Sequence, residues 1–160
     1  MTFVLPLILG HRGARAVKTE NTLEAFRYAC QAGIKWVELD AMLSKDGVVM
    51  VFHDETLERL TGKVGRLDEM AAEELQKLSL KSGGKIPTLA EVLDVLKEFG
   101  VCANIEIKPS RSELARETAR KIWHHVRVII AKTRPRQKCR VSSTQRSRSR
   151  VTFVIVPATP

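Results

Sequence analysis

Apolar residues in this chain come as short unbroken runs closed by polar residues, and stretches with helical spacing separate the runs. Residues 5–9 form such a run, stopped by Gly10 and followed by His11-Arg12-Gly13. The pattern predicts a buried strand and then a tight turn. Asn21, with Glu24 three residues later, has the form of a capping box, and Leu23, Phe26, Ala29 and Cys30 make an apolar stripe behind it. Gly33 closes that helix, and residues 34–40 read as the next strand. Asp46-Gly47 then turns the chain into a third strand over 48–52, which ends at His53. A loop-rich excursion follows, in which Asp68 is placed to cap a short helix carrying Met70, Leu75 and Leu78. Thr88 and Glu91 make a second capping box ahead of Leu89, Val92, Leu93, Val95 and Leu96; Gly100 ends that helix before a strand over 101–107.

Strands that are apolar on both faces and alternate with helices predict an α/β fold with a parallel sheet covered by helices. An open doubly wound sheet and a (β/α)₈ barrel both satisfy this pattern, and both place reacting groups at the carboxyl ends of strands. Four runs end that way. In Trp36-Val37-Glu38-Leu39-Asp40 the alternation puts both acids on one face, and Ile105-Glu106-Ile107-Lys108 repeats it. The other two runs end in His11-Arg12-Gly13 and His53-Asp54.

Glu38, Asp40 and Glu106 offer an oxygen-rich site suited to Mg²⁺ or Ca²⁺, although the nearby histidines leave zinc open on ligand type alone. His11 and His53 titrate near neutrality and suit proton transfer on opposite sides of a scissile bond. Arg12 and Lys108 supply the cations a phosphate needs. Together the set describes metal-assisted phosphoryl transfer.

The sequence resembles the glycerophosphodiester phosphodiesterase family, in particular its bacterial cytoplasmic branch. The resemblance rests on His11-Arg12-Gly13, Glu20-Asn21-Thr22-Leu23-Glu24-Ala25-Phe26, Val37-Glu38-Leu39-Asp40 and Ser44-Lys45-Asp46-Gly47. It continues through Phe52-His53-Asp54, Leu57-Glu58-Arg59, Ile86-Pro87-Thr88-Leu89 and Asn104-Ile105-Glu106-Ile107-Lys108, over residues 7–110. Thr19 and Leu60 stand where proline and threonine are usual, and neither change removes a reacting group. The resemblance implies a TIM barrel of the phospholipase C-like phosphodiesterase type that hydrolyses glycerophosphodiesters to sn-glycerol 3-phosphate and an alcohol. It implies that Glu38, Asp40 and Glu106 bind the metal, that His11 and His53 act as acid and base, and that Arg12 and Lys108 face the phosphate. Glu20 is read as structural, holding the first loop. Whether water or a substrate hydroxyl attacks phosphorus stays open.

Composition changes the picture past residue 110. A (β/α)₈ barrel typically takes ~250 residues, and only four motif-bearing strands are present here. Residues 1–110 hold 14 Lys and Arg against 16 Asp and Glu, a net −2, whereas residues 111–160 hold 13 against 2, a net +11. The last glycine is Gly100 and the last leucine Leu114. The expected organisation is therefore the first half of a barrel over residues 1–123 and a basic, irregular tail over 124–160, with one isolated strand at 151–156. A frameshifted or truncated reading frame explains the break, and a genuine short variant with an appended tail is the alternative.

Half a barrel is expected to leave its first and fourth strands unpaired, to associate through those edges, and to turn over poorly. Two other functional readings follow, an inactive fragment of the enzyme or a nonspecific anion binder acting through the tail. The tail lacks interleaved aromatics and any reading motif, which argues against specific nucleic-acid recognition. Three widely spaced cysteines, no basic region ahead of the apolar opening and no run near ~20 apolar residues point to a reduced, cytoplasmic protein without a transmembrane segment.

Overall fold

The computed structural model describes residues 8–108, 116–117 and 119–124, together with the backbone of two later strands over 140–145 and 151–156. The elements are β1 (Gly10–His11), α1 (Leu23–Gln31), β2 (Trp36–Leu43), β3 (Val49–Val51), α2 (Glu58–Thr61), a 3₁₀ turn (Leu67–Glu69), α3 (Ala72–Lys77), α4 (Leu89–Phe99), β4 (Cys102–Ile107), β5 (Arg140–Gln145) and β6 (Val151–Val156). Residues 119–124 are helical as well.

The sheet order is β1-β2-β4-β6-β5, with β3 paired to β2 off this path. β2 lies parallel to β1 on one side and to β4 on the other, in a register that sets Glu38 beside His11 and Asp40 beside Glu106. Along β2 and β4, one set of alternate residues (Val37, Leu39, Ala41, Leu43, Ala103, Ile105, Ile107) enters a core closed by Phe26, Ala29, Leu89, Val92 and Leu96. These helical residues come from the stripes of α1 and α4, so the helices cover this face. Ile122, fully buried, joins the same core. A second cluster forms where Met42, Met50 and Phe52 meet Leu57, Leu67, Leu75, Leu80 and Ile86, so the loop-rich excursion carries its own apolar floor.

Helix ends follow local chemistry. The Thr88–Glu91 box is closed, the Glu91 carboxylate accepting from the Thr88 backbone N–H at 2.8 Å. Gly100, at φ 65°, ends α4 in the left-handed conformation. The first box shifts by one residue. Thr22, not Asn21, caps α1 by accepting from the Ala25 backbone N–H, because the Asn21 side chain is drawn elsewhere. Asp68 caps no helix: it lies in the 3₁₀ turn and pairs with Arg66, while α3 starts at Ala72, whose N–H donates to Asp46.

Three strand expectations need correction. The first strand falls at Gly10–His11, later than residues 5–9, of which 5–7 lie outside the described residues. β3 runs antiparallel to β2. The few residues around Asp46-Gly47 can close a hairpin but cannot provide the dozen or more that a parallel crossover needs. β6 is not isolated: it pairs antiparallel with β4 and with β5, which is a second strand within the basic tail. The edge of β4 expected to be open is therefore occupied, and among the described strands the path ends at β1 and β5. β1 and β5 do not pair, so the described strands form an open sheet.

Candidate active site

The face of β2 and β4 away from the helices bears the acids. Glu38 and Asp40 sit two residues apart on β2, with Glu106 opposite Asp40 on β4. One carboxylate oxygen from each lies within 4.8 Å of the others. Glu38 and Asp40 are buried, Asp40 almost completely at 1% exposure.

Buried acids at this spacing need compensation. Asp40 receives most of it: Arg12 Nε lies 3.2 Å from Oδ2, Lys108 Nζ lies 3.7 Å from Oδ1, and Asn21 Nδ2 donates to Oδ2 at 2.9 Å. Lys108 also pairs with Glu106 at 3.0 Å. Glu38 accepts the Arg12 backbone N–H at 3.0 Å and faces His11 Nε2 at 3.6 Å. Three carboxylates against two permanent cations leave an excess of negative charge, and Glu38 carries its consequence. Burial first, then the neighbouring Asp40 and Glu106 charges, push its carboxyl up to about 7 against the pull of Arg12. His11 moves the other way, held below 6.5 by burial and by the Arg12 and Arg15 charges.

The backbone is bent to deliver these groups. Among the described residues, Arg12 and Asn21 are the two non-glycine residues with positive φ, at 52° and 57°, and both touch Asp40. Such conformations persist only where the surroundings enforce them. Gly13 completes the turn at φ 82°, where an added Cβ would lie 2.9 Å from the Ala25 carbonyl carbon. The first loop thus packs directly on the start of α1, and the Asn21 N–H closes it by donating to the Arg12 carbonyl at 3.0 Å.

His53, after β3, belongs to a second cluster. Its Nδ1 lies 2.6 Å from Asp54 Oδ1, and Arg59 Nε donates to Asp54 Oδ2 at 2.5 Å. Arg59 Nη2 reaches Glu20 Oε1 at 2.6 Å, and the same oxygen accepts from Arg12 Nη1 at 2.7 Å. All seven residues singled out in the sequence therefore fall into one connected polar system. Asn21, Asp54 and Arg59 belong to it too, and sequence reasoning gave them no role at the site.

Burial raises the Glu20 and Asp54 carboxyls, but hydrogen bonds from Arg59 to both, from Arg12 to Glu20 and from His53 to Asp54 outweigh it, and both end below their ordinary 4.5 and 3.8. A depressed acid adds stability that is complete above its ordinary value and is lost as pH falls through the folded one. Glu38, being raised, acts oppositely: its protonation favours the fold as pH falls from about 7. The unfolding midpoint in urea should therefore drop below pH ~4.5 in the parent chain and drop less in Arg59→Ala. Equal drops would remove Arg59 from this balance.

Comparison with known proteins places the geometry in context. A family model described as "Glycerophosphoryl diester phosphodiesterase family" matches residues 11–153, running past the last motif residue, Lys108. The chain is 38% identical over 109 residues to a glycerophosphodiester phosphodiesterase of Caldanaerobacter subterraneus, covering 64% of this chain and 45% of that protein. It is 31% identical over 124 residues to human glycerophosphodiester phosphodiesterase 1, covering 72% and 37%. Among solved structures, an Oleispira antarctica phosphodiesterase in complex with the product sn-glycerol-3-phosphate is 36% identical with a TM-score of 0.73, over 77% of this chain and 52% of that one. A Thermotoga maritima glycerophosphodiester phosphodiesterase is 40% identical with a TM-score of 0.60, over 76% and 50%. The chain spans about half the length of the relatives it matches. No helix among the described residues is long and apolar enough to cross a membrane.

Proposed function

The chain belongs to the glycerophosphoryl diester phosphodiesterase family, and from that premise we propose that its site hydrolyses glycerophosphodiesters to sn-glycerol 3-phosphate and an alcohol. The observation that carries this reading is the convergence of Glu38, Asp40 and Glu106 on one face of two adjacent parallel strands, with His11 and Arg12 beside them. An all-oxygen donor set with uncompensated negative charge fits a divalent cation, Mg²⁺ or Ca²⁺. Bound there, such a cation stabilises negative charge developing on phosphoryl oxygens.

The chain's own groups divide the remaining work. Arg12 and Lys108 bring positive charge to the end of the sheet where the phosphodiester is to be held. His11, half exposed above Glu38, and His53, held by Asp54, are the proton carriers. One takes the proton of the attacking hydroxyl and the other gives a proton to the leaving alkoxide. The attacking group is either water or a hydroxyl of the glycerol itself, and accumulation of a cyclic phosphate would identify the latter.

The test is direct. Purified chain with Mg²⁺ or Ca²⁺ should release sn-glycerol 3-phosphate from a glycerophosphodiester and stop when the cation is chelated. At a cation concentration 100-fold above Kd the chain should also gain about 2.7 kcal/mol of stability, roughly 5–10 °C in melting temperature at this size. A folded chain stabilised by the cation but yielding no product would overturn the hydrolase reading and leave a cation-binding fragment without turnover.

A further inference from the structure

His53 and Arg12 stand on different loops, 41 residues apart in sequence, yet a single side chain reaches toward both. Arg59, at the start of α2, bonds Asp54 with Nε and spans both Glu20 oxygens with Nη1 at 3.3 Å and Nη2 at 2.6 Å. Asp54 spends its other oxygen on His53, and Glu20 spends Oε1 a second time on Arg12. The guanidinium has donors pointing in two directions from one rigid plane, and lysine could not reproduce that fork. Glu20 and the Arg12 side chain are about nine-tenths covered, and Asp54 is four-fifths covered, whereas Arg59 is 48% exposed. The clamp closes from outside over groups already buried.

The consequence for His53 follows from donor inventory. An ionised carboxylate only accepts, so in its neutral form an imidazole bonded to Asp54 through Nδ1 carries its proton there, and Nε2 keeps the lone pair. That tautomer holds only while Asp54 stays in place, and its carboxylate is held by Arg59 and by the imidazole itself.

We propose that Arg59 is a positioning residue that fixes His53 in the Nδ1–H tautomer through Asp54 and, through Glu20, sets that histidine's loop against Arg12. The proposal rests on the hydrolase reading for its meaning in turnover, but the geometry it claims does not. Arg59 itself need touch no substrate; it acts through two acids.

The experiment reads the imidazole rather than the product. Long-range ¹H–¹⁵N spectra of the full chain, with His53→Ala to identify the resonances, report which ring nitrogen carries the proton. The parent should show His53 as Nδ1–H. Arg59→Ala should move it mainly to Nε2–H, the form an unrestrained imidazole favours, while Arg59→Lys, which can keep one of the two acid contacts, should restore it in part. Should Arg59→Ala unfold, Arg59→Met keeps the apolar stem and is read the same way. A parent already mixed in tautomer, or variants indistinguishable from the parent, would overturn the proposal. Where the parent turns over, Arg59→Ala should lower kcat ~10–100-fold with little change in KM, a loss of the size seen when a residue orienting a reacting group is removed. A parent without turnover sinks the functional reading while leaving the tautomer result to decide this one.

Discussion

Asp40→Ala should abolish cation-dependent stabilisation and any turnover, and should destabilise the fold by about 3–5 kcal/mol, the usual cost of removing one partner from a buried charge cluster. Asp40 is 1% exposed and is shared by Arg12, Lys108 and Asn21. Its loss takes from the Arg12 guanidinium, whose side chain is only 12% exposed, one of its two acid partners and leaves Glu20 as the other, and it unpairs the Asn21 amide. Glu38→Gln should behave differently. It removes a carboxyl already pushed up to about 7 by burial and by its acidic neighbours, so it relieves repulsion and should leave the metal-free fold no less stable. Cation binding should be lost all the same. Urea unfolding of both variants, with and without Mg²⁺ or Ca²⁺, separates the two roles. Equal destabilisation by both would mean that Asp40 is not the hub that the geometry makes it.

The grouping of the three acids was legible because it depends mainly on strand periodicity. Once 36–40 and 102–107 are strands, Glu38, Asp40 and Glu106 must share faces, and a parallel register needs only to bring the faces level. The two helices that cover the opposite face were legible for a similar reason, since capping residues and apolar stripes lie within one short segment each. Contacts between distant segments were not. Asn21 looked like a cap because asparagine commonly is one, and only the fold shows its side chain turned to Asp40 and the cap passed to Thr22. A hint existed, since two candidate caps stood side by side and asparagine tolerates positive φ. Arg59 lies 39 residues from Glu20, and no local spacing rule predicts their bond.

β3 was misread for a nearer reason. A strand stands where one was expected, but it does not join the expected parallel sheet, and the brevity of the Ser44–Gly47 turn already excluded a parallel crossover. The pairing of β6 with β4 could not be read from the sequence, because Val151–Val156 carries no marker of which strand it will join.

His53→Ala should reduce turnover ~10²–10⁴-fold while leaving the melting temperature within a few degrees of the parent, and His11→Ala should do the same. The structural half of this expectation comes from exposure. The His11 side chain is 53% exposed and that of His53 30%, so truncating either opens no core cavity. The chemical half comes from where each ring is held. His11 stands by Glu38 with Nε2 at 3.6 Å, on the side of the three acids, and His53 is held by Asp54, so neither ring serves as packing. Because acid and base act on one transition state, the double variant should lose little beyond the worse single one, as groups that work as a unit do. Specific activity and thermal unfolding measured on the same preparations decide the matter. A variant that loses stability but keeps normal specific activity would return that histidine to a structural role and leave the proton transfer to another group.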